Sequence, residues 1–136
     1  MLSVADALAQ VLAPLQPTPV ARRGLRQAAG LVLAAPVMAK RDQPPAALSA
    51  MDGYAVRASD VAQVPAVLDV VGAVAAGDAF AGRLRPGQAV RIFTGAPLPD
   101  GADAIVIQED ADALDGGRVR IRQASAPGRH VRARGY

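Results

Sequence analysis

The stretch "GQAVRIFTGAPLPDGADAIVIQEDA", residues 87–111, decides the fold of this chain. It holds two short runs rich in β-branched residues, "AVRIF" and "AIVI", and a segment of Gly, Pro and Asp separates them. Short apolar runs bounded by such turn residues are typical of β-strands. The same texture recurs in "VLDVVGAVAAGDA" at 67–79 and "DGGRVRIRQ" at 115–123. The sequence from residue 53 onward therefore predicts a β-rich barrel or sandwich.

The last of these runs predicts a turn and a buried face. "DGG" favours a hairpin turn. In "VRIRQ", Val119 and Ile121 alternate with Arg120 and Arg122. Because successive side chains of a strand point to opposite faces, we expect the two apolar residues to face a core and the two arginines to face solvent.

The N-terminal part has a helical pattern instead. Ser3 is placed to cap a helix at about residues 4–13, and Asp6 is placed to reach back to the backbone N–H of Ser3. A second helix is predicted at about 20–29, with a stop at Gly30. The apolar run at 31–40 contains Pro36, so it fits either a continued helix or an edge strand.

These patterns together predict an α+β fold. A short helical lobe would span residues 1–45 and be rejoined by about 124–136. A β-rich, barrel-like lobe would span 46–123. The boundary is placed in the segment 42–48, whose Gln, Pro and Ala composition is that of a linker.

Composition narrows the function classes. The 136 residues are 51% apolar and only 3% aromatic, with no Cys and one His. Disulfides, thiolate sites and His-rich metal sites are therefore excluded. The scarcity of aromatic side chains argues against nucleic-acid binding, since single-stranded bases stack on such rings. The stretch from Arg118 to Arg134 carries six arginines and no acid, so an anion-binding tail stays open.

The sequence also bears on localisation. The N-terminus has no basic leader before its apolar residues, and no run of 18 apolar residues occurs. We therefore expect a cytoplasmic protein with neither a membrane nor a nucleic-acid partner.

Three motifs could carry chemistry. In "SAMDGYAV", residues 49–56, Asp52 precedes a glycine and is either a turn residue or an acid held rigidly to meet a cation. Thr94 and Gly95 follow a predicted strand and present a hydroxyl and an unhindered N–H, which suit anions. Neighbouring acids end the next strand, where they could help to hold Mg²⁺ or be solvated. That strand end consists of Gln108, Glu109 and Asp110.

The "GRHVRARG" segment is the fourth candidate. Its arginines, Arg129, Arg132 and Arg134, could bind phosphate through their forked donors, or could face solvent beside a turn. The lone His130 is expected to be a surface or packing residue rather than a base.

Taken in order, the motifs resemble one family. "SAMDGYAVR", then "RIFTGAPLPDGADAIVIQED" about forty residues later, then "GRHVRARG", resemble the N-terminal portion of the MoeA family of molybdopterin molybdenumtransferases, which includes the gephyrin E domain. The opening "SVADALAQVL" and the segments "AAGLVLAAPV" and "VVGAVAAGDA" are also similar to that family. The resemblance covers almost the whole chain.

The resemblance implies a role in molybdenum cofactor biosynthesis. Family members insert molybdate into adenylylated molybdopterin, use a divalent cation such as Mg²⁺, and form homodimers of multi-domain subunits. It implies that Asp52 and Thr94 are catalytic, with Asp52 as a Mg²⁺ ligand. It further implies walls around the substrate and a supporting strand end. The wall residues are Ser49, Gly53, Tyr54 and Gly95, and the supporting residues are Gln108, Glu109 and Asp110.

The chain also departs from the family pattern. The Phe-Asp-Asn that usually precedes "SAMDGY" is replaced by Ala46, Ala47 and Leu48, and the acids that usually follow "RARG" are missing. The family is about three times as long, so we expect its pterin-binding α/β domain and its C-terminal domain to be absent here. This predicts a truncated or split form that is inactive alone and needs a homodimer or a partner chain. The alternative is a non-catalytic dimerisation or binding module.

Overall fold

The computed structural model describes residues 2–136 of the chain. It forms two compact units, the first ending at Met38 and the second comprising Ala39–Tyr136. The predicted division into lobes at residue 45 stays a prediction. No helix within residues 2–136 has the length and apolar character needed to cross a lipid bilayer.

The first helix, α1, spans Val4–Leu12, as the sequence predicts. Ser3 caps it, because its hydroxyl oxygen accepts the backbone N–H of Asp6 at 3.1 Å. The Asp6 side chain does not reach the backbone N–H of Ser3, as expected from the sequence, but accepts the Ser3 hydroxyl proton at 2.6 Å. The Ser3 hydroxyl therefore accepts from the backbone of Asp6 and donates to its side chain. The cap satisfies one of the N–H groups of the first turn that have no partner within the helix.

The second predicted helix is wrong. Only Leu25–Gln27 forms a single 3₁₀ turn, and the apolar run at 31–38 is neither helix nor strand. Gly24 is extended, with φ −64° and ψ 152°, and none of the described side chains in this unit is fully buried. Short helices depend on packing of an apolar face, and this segment has no such packing within its unit.

The second unit is built on a curled six-stranded sheet in the form of a half-barrel. The strands are β1 Leu48–Ser49, β2 Gly53–Val56, β3 Ala66–Val74, β4 Gln88–Ile92, β5 Ala104–Ile107, β6 Ala111–Leu114, β7 Arg118–Ile121 and β8 Val131–Arg132. The order in the six-stranded sheet is β5-β2-β4-β3-β7-β6; β3 and β4 run parallel, and the other neighbours are antiparallel. A separate two-stranded ribbon pairs β1 with β8. The predicted α+β class is confirmed.

The sheet is covered on both faces at β5 but on one face only at β7. On β5, Ala104 and Val106 belong to one apolar cluster, whereas Ile105 between them belongs to the other. A strand buried on both faces has a continuous apolar sequence, which explains the run "AIVI". On β7, Val119 and Ile121 are fully buried and Arg120 is exposed, so the alternation predicted there is confirmed.

Candidate functional site

The two motifs meet in one contact. Asp52 lies in the turn between β1 and β2, and Thr94 lies two residues after the end of β4. The Asp52 carboxylate oxygen Oδ1 accepts both the backbone N–H and the hydroxyl of Thr94, each at 2.7 Å. The antiparallel pairing of β2 with β4 places Gly53 opposite Ile92. This register brings the residues that flank the two strands together.

The contact favours the ionised form of Asp52. The N–H of Thr94 lowers the pKa of this carboxyl most, its hydroxyl lowers it further, and the positive charge of Arg91 contributes less. Hydrogen bonds to the charged form stabilise it. The second carboxylate oxygen, Oδ2, accepts no hydrogen bond from any residue that the structure describes. Asp52 therefore presents one free anionic oxygen from a fixed position.

The backbone around Asp52 is held on both sides. Its carbonyl accepts the N–H of Gln108 at 3.1 Å, and the carbonyl of Ser49 accepts the N–H of Gly95 at 2.9 Å. Ser49 is fully buried, and its hydroxyl donates to the carbonyl of Met51 at 2.5 Å. The Ser49 side chain is thus engaged inside the turn that carries Asp52. Its predicted contact with substrate stays a prediction.

Gly53 occupies a position without room for a side chain. A Cβ added there would lie 2.0 Å from the carbonyl oxygen of Val106 and 2.9 Å from the Cα of Ile107. Strand β5 therefore approaches the residue after Asp52 closely enough to require glycine. Gly95, with φ +84°, adopts a conformation that non-glycine residues seldom take.

Arg91 is the site residue that sequence reasoning missed. Its guanidinium carbon lies 5.1 Å from the ring centre of Tyr54 and 4.9 Å from that of Phe93. It donates from Nη1 to the carbonyl of Gly53 at 3.1 Å and from Nη2 to Oε1 of Gln108 at 2.7 Å. A charged residue inside the otherwise apolar strand "AVRIF" was the signal in the sequence.

The predicted supporting residues lie in a 3₁₀ turn, Gln108–Asp110, directly after β5. Gln108 joins the site through the backbone of Asp52 and the side chain of Arg91. Glu109 contacts the Gln108 amide at 3.4 Å, and the Asp110 carboxylate faces the Gln123 amide, which donates at 3.0 Å in its favourable orientation. The two acids do not join Asp52 in a cluster of three or more possible ligands, and residues 2–136 contain no such cluster.

The C-terminal arginines are engaged separately. Arg134 pairs with Asp42 at 2.6 Å, and the Nε of Arg129 donates to Nε2 of His130 at 3.2 Å. The structure therefore does not assemble these arginines into the Asp52 site. An anion-binding role for them stays a prediction.

Comparison with known proteins assigns the family. Residues 2–136 match the family described as the MoeA N-terminal region (domain I and II). The chain belongs to this family. The resemblance of its motifs to the N-terminal portion of MoeA is thereby confirmed.

Relatives of this MoeA N-terminal region are molybdopterin molybdenumtransferases. The chain is 48% identical over 117 residues to molybdopterin molybdenumtransferase 2 of Mycobacterium tuberculosis, covering 82% of this chain and 28% of the relative. It is 35% identical over 133 residues to the molybdopterin molybdenumtransferase of Haemophilus influenzae, covering 97% of this chain and 33% of the relative. The match thus spans a third or less of these relatives.

A solved structure shares the architecture. The crystal structure of the molybdopterin biosynthesis MoeA protein from Pyrococcus horikoshii superposes with a TM-score of 0.72 at 35% sequence identity. The match covers 82% of this chain and 30% of that protein.

Proposed function

We propose that this MoeA N-terminal region supplies the Asp52–Thr94 pair to the insertion of molybdate into adenylylated molybdopterin. The observation that carries the proposal is the double hydrogen bond from Thr94 to Oδ1 of Asp52, at 2.7 Å for both donors. The resemblance marks these two residues as catalytic from separate motifs, and the two residues are 42 positions apart in the sequence. Their contact is the expected arrangement for one site.

Asp52 is suited to contact a hard cation. Its carboxyl is held ionised, and its Oδ2 is free of hydrogen bonds from the described residues. Mg²⁺ takes oxygen ligands and is commonly held by one or two carboxylates together with waters and substrate phosphates. The residues of this region fit one ligand position of such an ion. A bound Mg²⁺ would neutralise negative charge on the phosphate of the adenylylated substrate.

Thr94 orients that carboxylate. Because both of its donors converge on Oδ1, the other oxygen, Oδ2, is the one directed to an incoming ligand. Gly95 follows Thr94 directly, and the ring of Tyr54 contacts Arg91. We propose that these residues, with Gly53 and the buried Ser49 behind them, shape the wall of the substrate site.

Most of the substrate contacts belong elsewhere in this proposal. The matched region spans a third or less of its relatives. We propose that the pterin-binding residues lie beyond that region, whether in the same polypeptide or in a second copy or partner chain. On this basis the 136-residue chain does not catalyse the transfer when it is alone.

A chimera tests the proposal. The matched residues of the Mycobacterium tuberculosis molybdopterin molybdenumtransferase 2 are replaced by this chain, and molybdenum cofactor formation is measured with adenylylated molybdopterin, molybdate and Mg²⁺. We expect the chimera to form cofactor and the chain alone to form none. We expect Asp52→Asn to lower the rate at least about tenfold, because loss of the anionic oxygen should raise the activation barrier by about 1.4 kcal/mol or more.

Asp115→Asn is the matched control. Asp115 is an exposed acid in the hairpin turn between β6 and β7, outside the contacts that join Asp52 to Thr94. This substitution removes one negative charge, as Asp52→Asn does, and the chimera that carries it should form cofactor at an unchanged rate. An active chimera whose rate is the same with Asp52→Asn as with Asp115→Asn would refute the role of Asp52.

A further inference from the structure

We infer that Arg91 is a positioning residue that fixes the Asp52 carboxylate against Thr94; its role in the reaction rests on the proposed function. The guanidinium carbon lies close to two aromatic rings, 5.1 Å from the ring centre of Tyr54 and 4.9 Å from that of Phe93. Contacts with two rings restrict the orientation of a planar cation. The direction of its N–H donors is therefore set before any ligand arrives.

Those donors hold the backbone around Asp52. Nη1 donates at 3.1 Å to the carbonyl of Gly53, the residue that follows Asp52. Nη2 donates at 2.7 Å to the side chain of Gln108, whose own N–H donates to the carbonyl of Asp52 at 3.1 Å. One guanidinium thus fixes the two peptide groups that flank Gly53, one directly and the other through Gln108.

The same guanidinium also contacts the segment that carries Thr94. Phe93, whose ring centre lies 4.9 Å from the guanidinium carbon, directly precedes Thr94. Arg91 therefore contacts three segments: the one with Asp52, the one with Thr94 and the turn with Gln108.

The position of Arg91 argues against a role in stability alone. Its neighbours on β4, Val90 and Ile92, are fully buried, and an apolar side chain would suit a strand between two apolar clusters. Its side-chain hydrogen bonds go only to residues at the Asp52 turn and the Gln108 turn. Lysine cannot replace it, because a single ammonium lacks the rigid fork that reaches two acceptors.

Amide hydrogen exchange on the ¹⁵N-labelled 136-residue chain tests the inference without any activity assay. In Arg91→Met we expect the protection of the Thr94 and Gln108 amides to fall ~tenfold or more, while the amide of Val119 in β7 stays within ~twofold, as for a local opening. Arg91→Lys should not restore protection. Arg120→Met, at an exposed arginine on β7 whose side chain makes no hydrogen bond or salt bridge with the described residues, is the control and should change neither amide.

Two results would overturn the inference. One is unchanged protection of Thr94 in Arg91→Met, and the other is an equal loss at Thr94 and Val119, which would make Arg91 a general stabiliser. Should Arg91→Met fail to fold, Gln108→Met removes the acceptor that links Arg91 to Asp52, together with the long 3.4 Å contact from Gln108 to Glu109. It should lower Thr94 protection selectively, and no change there would equally refute the link.

The reaction is tested in the chimera. Arg91→Met should lower kcat and leave KM within ~threefold, because a positioning residue acts on the reacting geometry rather than on uniform binding. If the unsubstituted chimera forms no cofactor, the proposed function fails while the amide result still decides whether Arg91 positions Asp52. A normal kcat in an active chimera would refute the catalytic consequence.

Discussion

Gly53→Ala should be one of the most destabilising single substitutions in the β-rich unit. The added Cβ would lie 2.0 Å from the carbonyl oxygen of Val106 and 2.9 Å from the carbonyl carbon of Val106 and the Cα of Ile107. These distances are well inside the ~3.5 Å at which non-bonded heavy atoms attract. The contacted atoms are backbone atoms of β5, so no side-chain rotation relieves the overlap.

The expected cost follows from the movement that the overlap forces. Strand β5 must shift away from β2 by roughly 1 Å, at an overpacking cost of about 1–3 kcal/mol. The shift also weakens about two ladder hydrogen bonds at the Gly53–Ile107 end, each worth about 1 kcal/mol. We therefore expect a loss of about 3–5 kcal/mol in the free energy of unfolding, a large part of the ~5–15 kcal/mol typical of a domain.

Urea unfolding followed by far-UV circular dichroism measures this loss. Gly72→Ala is the matched control, because its Cβ meets only the edge of the Phe80 ring, with Cε2 at 2.9 Å, and a side chain can move where the backbone of β5 cannot. The control should cost about 1 kcal/mol or less. If Gly53→Ala costs no more than Gly72→Ala, the close approach of β5 does not explain the glycine.

Three further predictions concern single contacts. In metal-free ¹³C NMR titrations, the Asp52 carboxyl should titrate below its ordinary pKa of 3.8. Thr94→Val removes only the hydroxyl donor and should move the pKa of Asp52 part of the way back. An unchanged pKa would show that the hydroxyl does not matter. Because the pKa of Asp52 is lower in the folded than in the unfolded protein, its stabilisation is present above the unfolded pKa and is lost as pH falls through the folded pKa. Thr94→Val should therefore reduce the free energy of unfolding at pH values above the unfolded pKa but not at pH values below the folded pKa. Ser125 is 5% exposed, and its hydroxyl donates to the carbonyl of Ile105 at 2.9 Å. Ser125→Ala should therefore lower the free energy of unfolding in urea by about 1 kcal/mol, whereas the same change at the exposed Ser59 should lower it very little. Equal effects would contradict the argument. Ser3→Ala removes the cap of α1 and should destabilise that helix by about 1 kcal/mol, seen as lost helical circular dichroism, and an unchanged helix signal would show that the cap is dispensable.

The sequence determined the local features of this protein. The Ser3 cap set the start of α1, since capping depends on residues only three positions apart. The alternation at Val119 and Ile121 set the buried face of β7 because side chains of a strand point to opposite faces. The order of the motifs also indicated the family and singled out Asp52 and Thr94.

The sequence did not predict features that depend on distant partners. A second helix was expected at 20–29, but a helical pattern forms a helix only where packing supports it, and these residues lack that packing within their unit. Arg91 was overlooked because its stacking partners, Tyr54 and Phe93, meet it only after β2 and β4 pair.

The Asp52–Thr94 contact shows where the division lies. The sequence motifs indicated both residues as candidates, and each of them lies in a turn. Only the antiparallel register of β2 on β4 brought the carboxylate to within 2.7 Å of the two donors of Thr94. Pairing across a sheet is set by which side chains become buried and by close approaches such as that at Gly53, so tertiary structure, and not local sequence, brought two turn residues into one site.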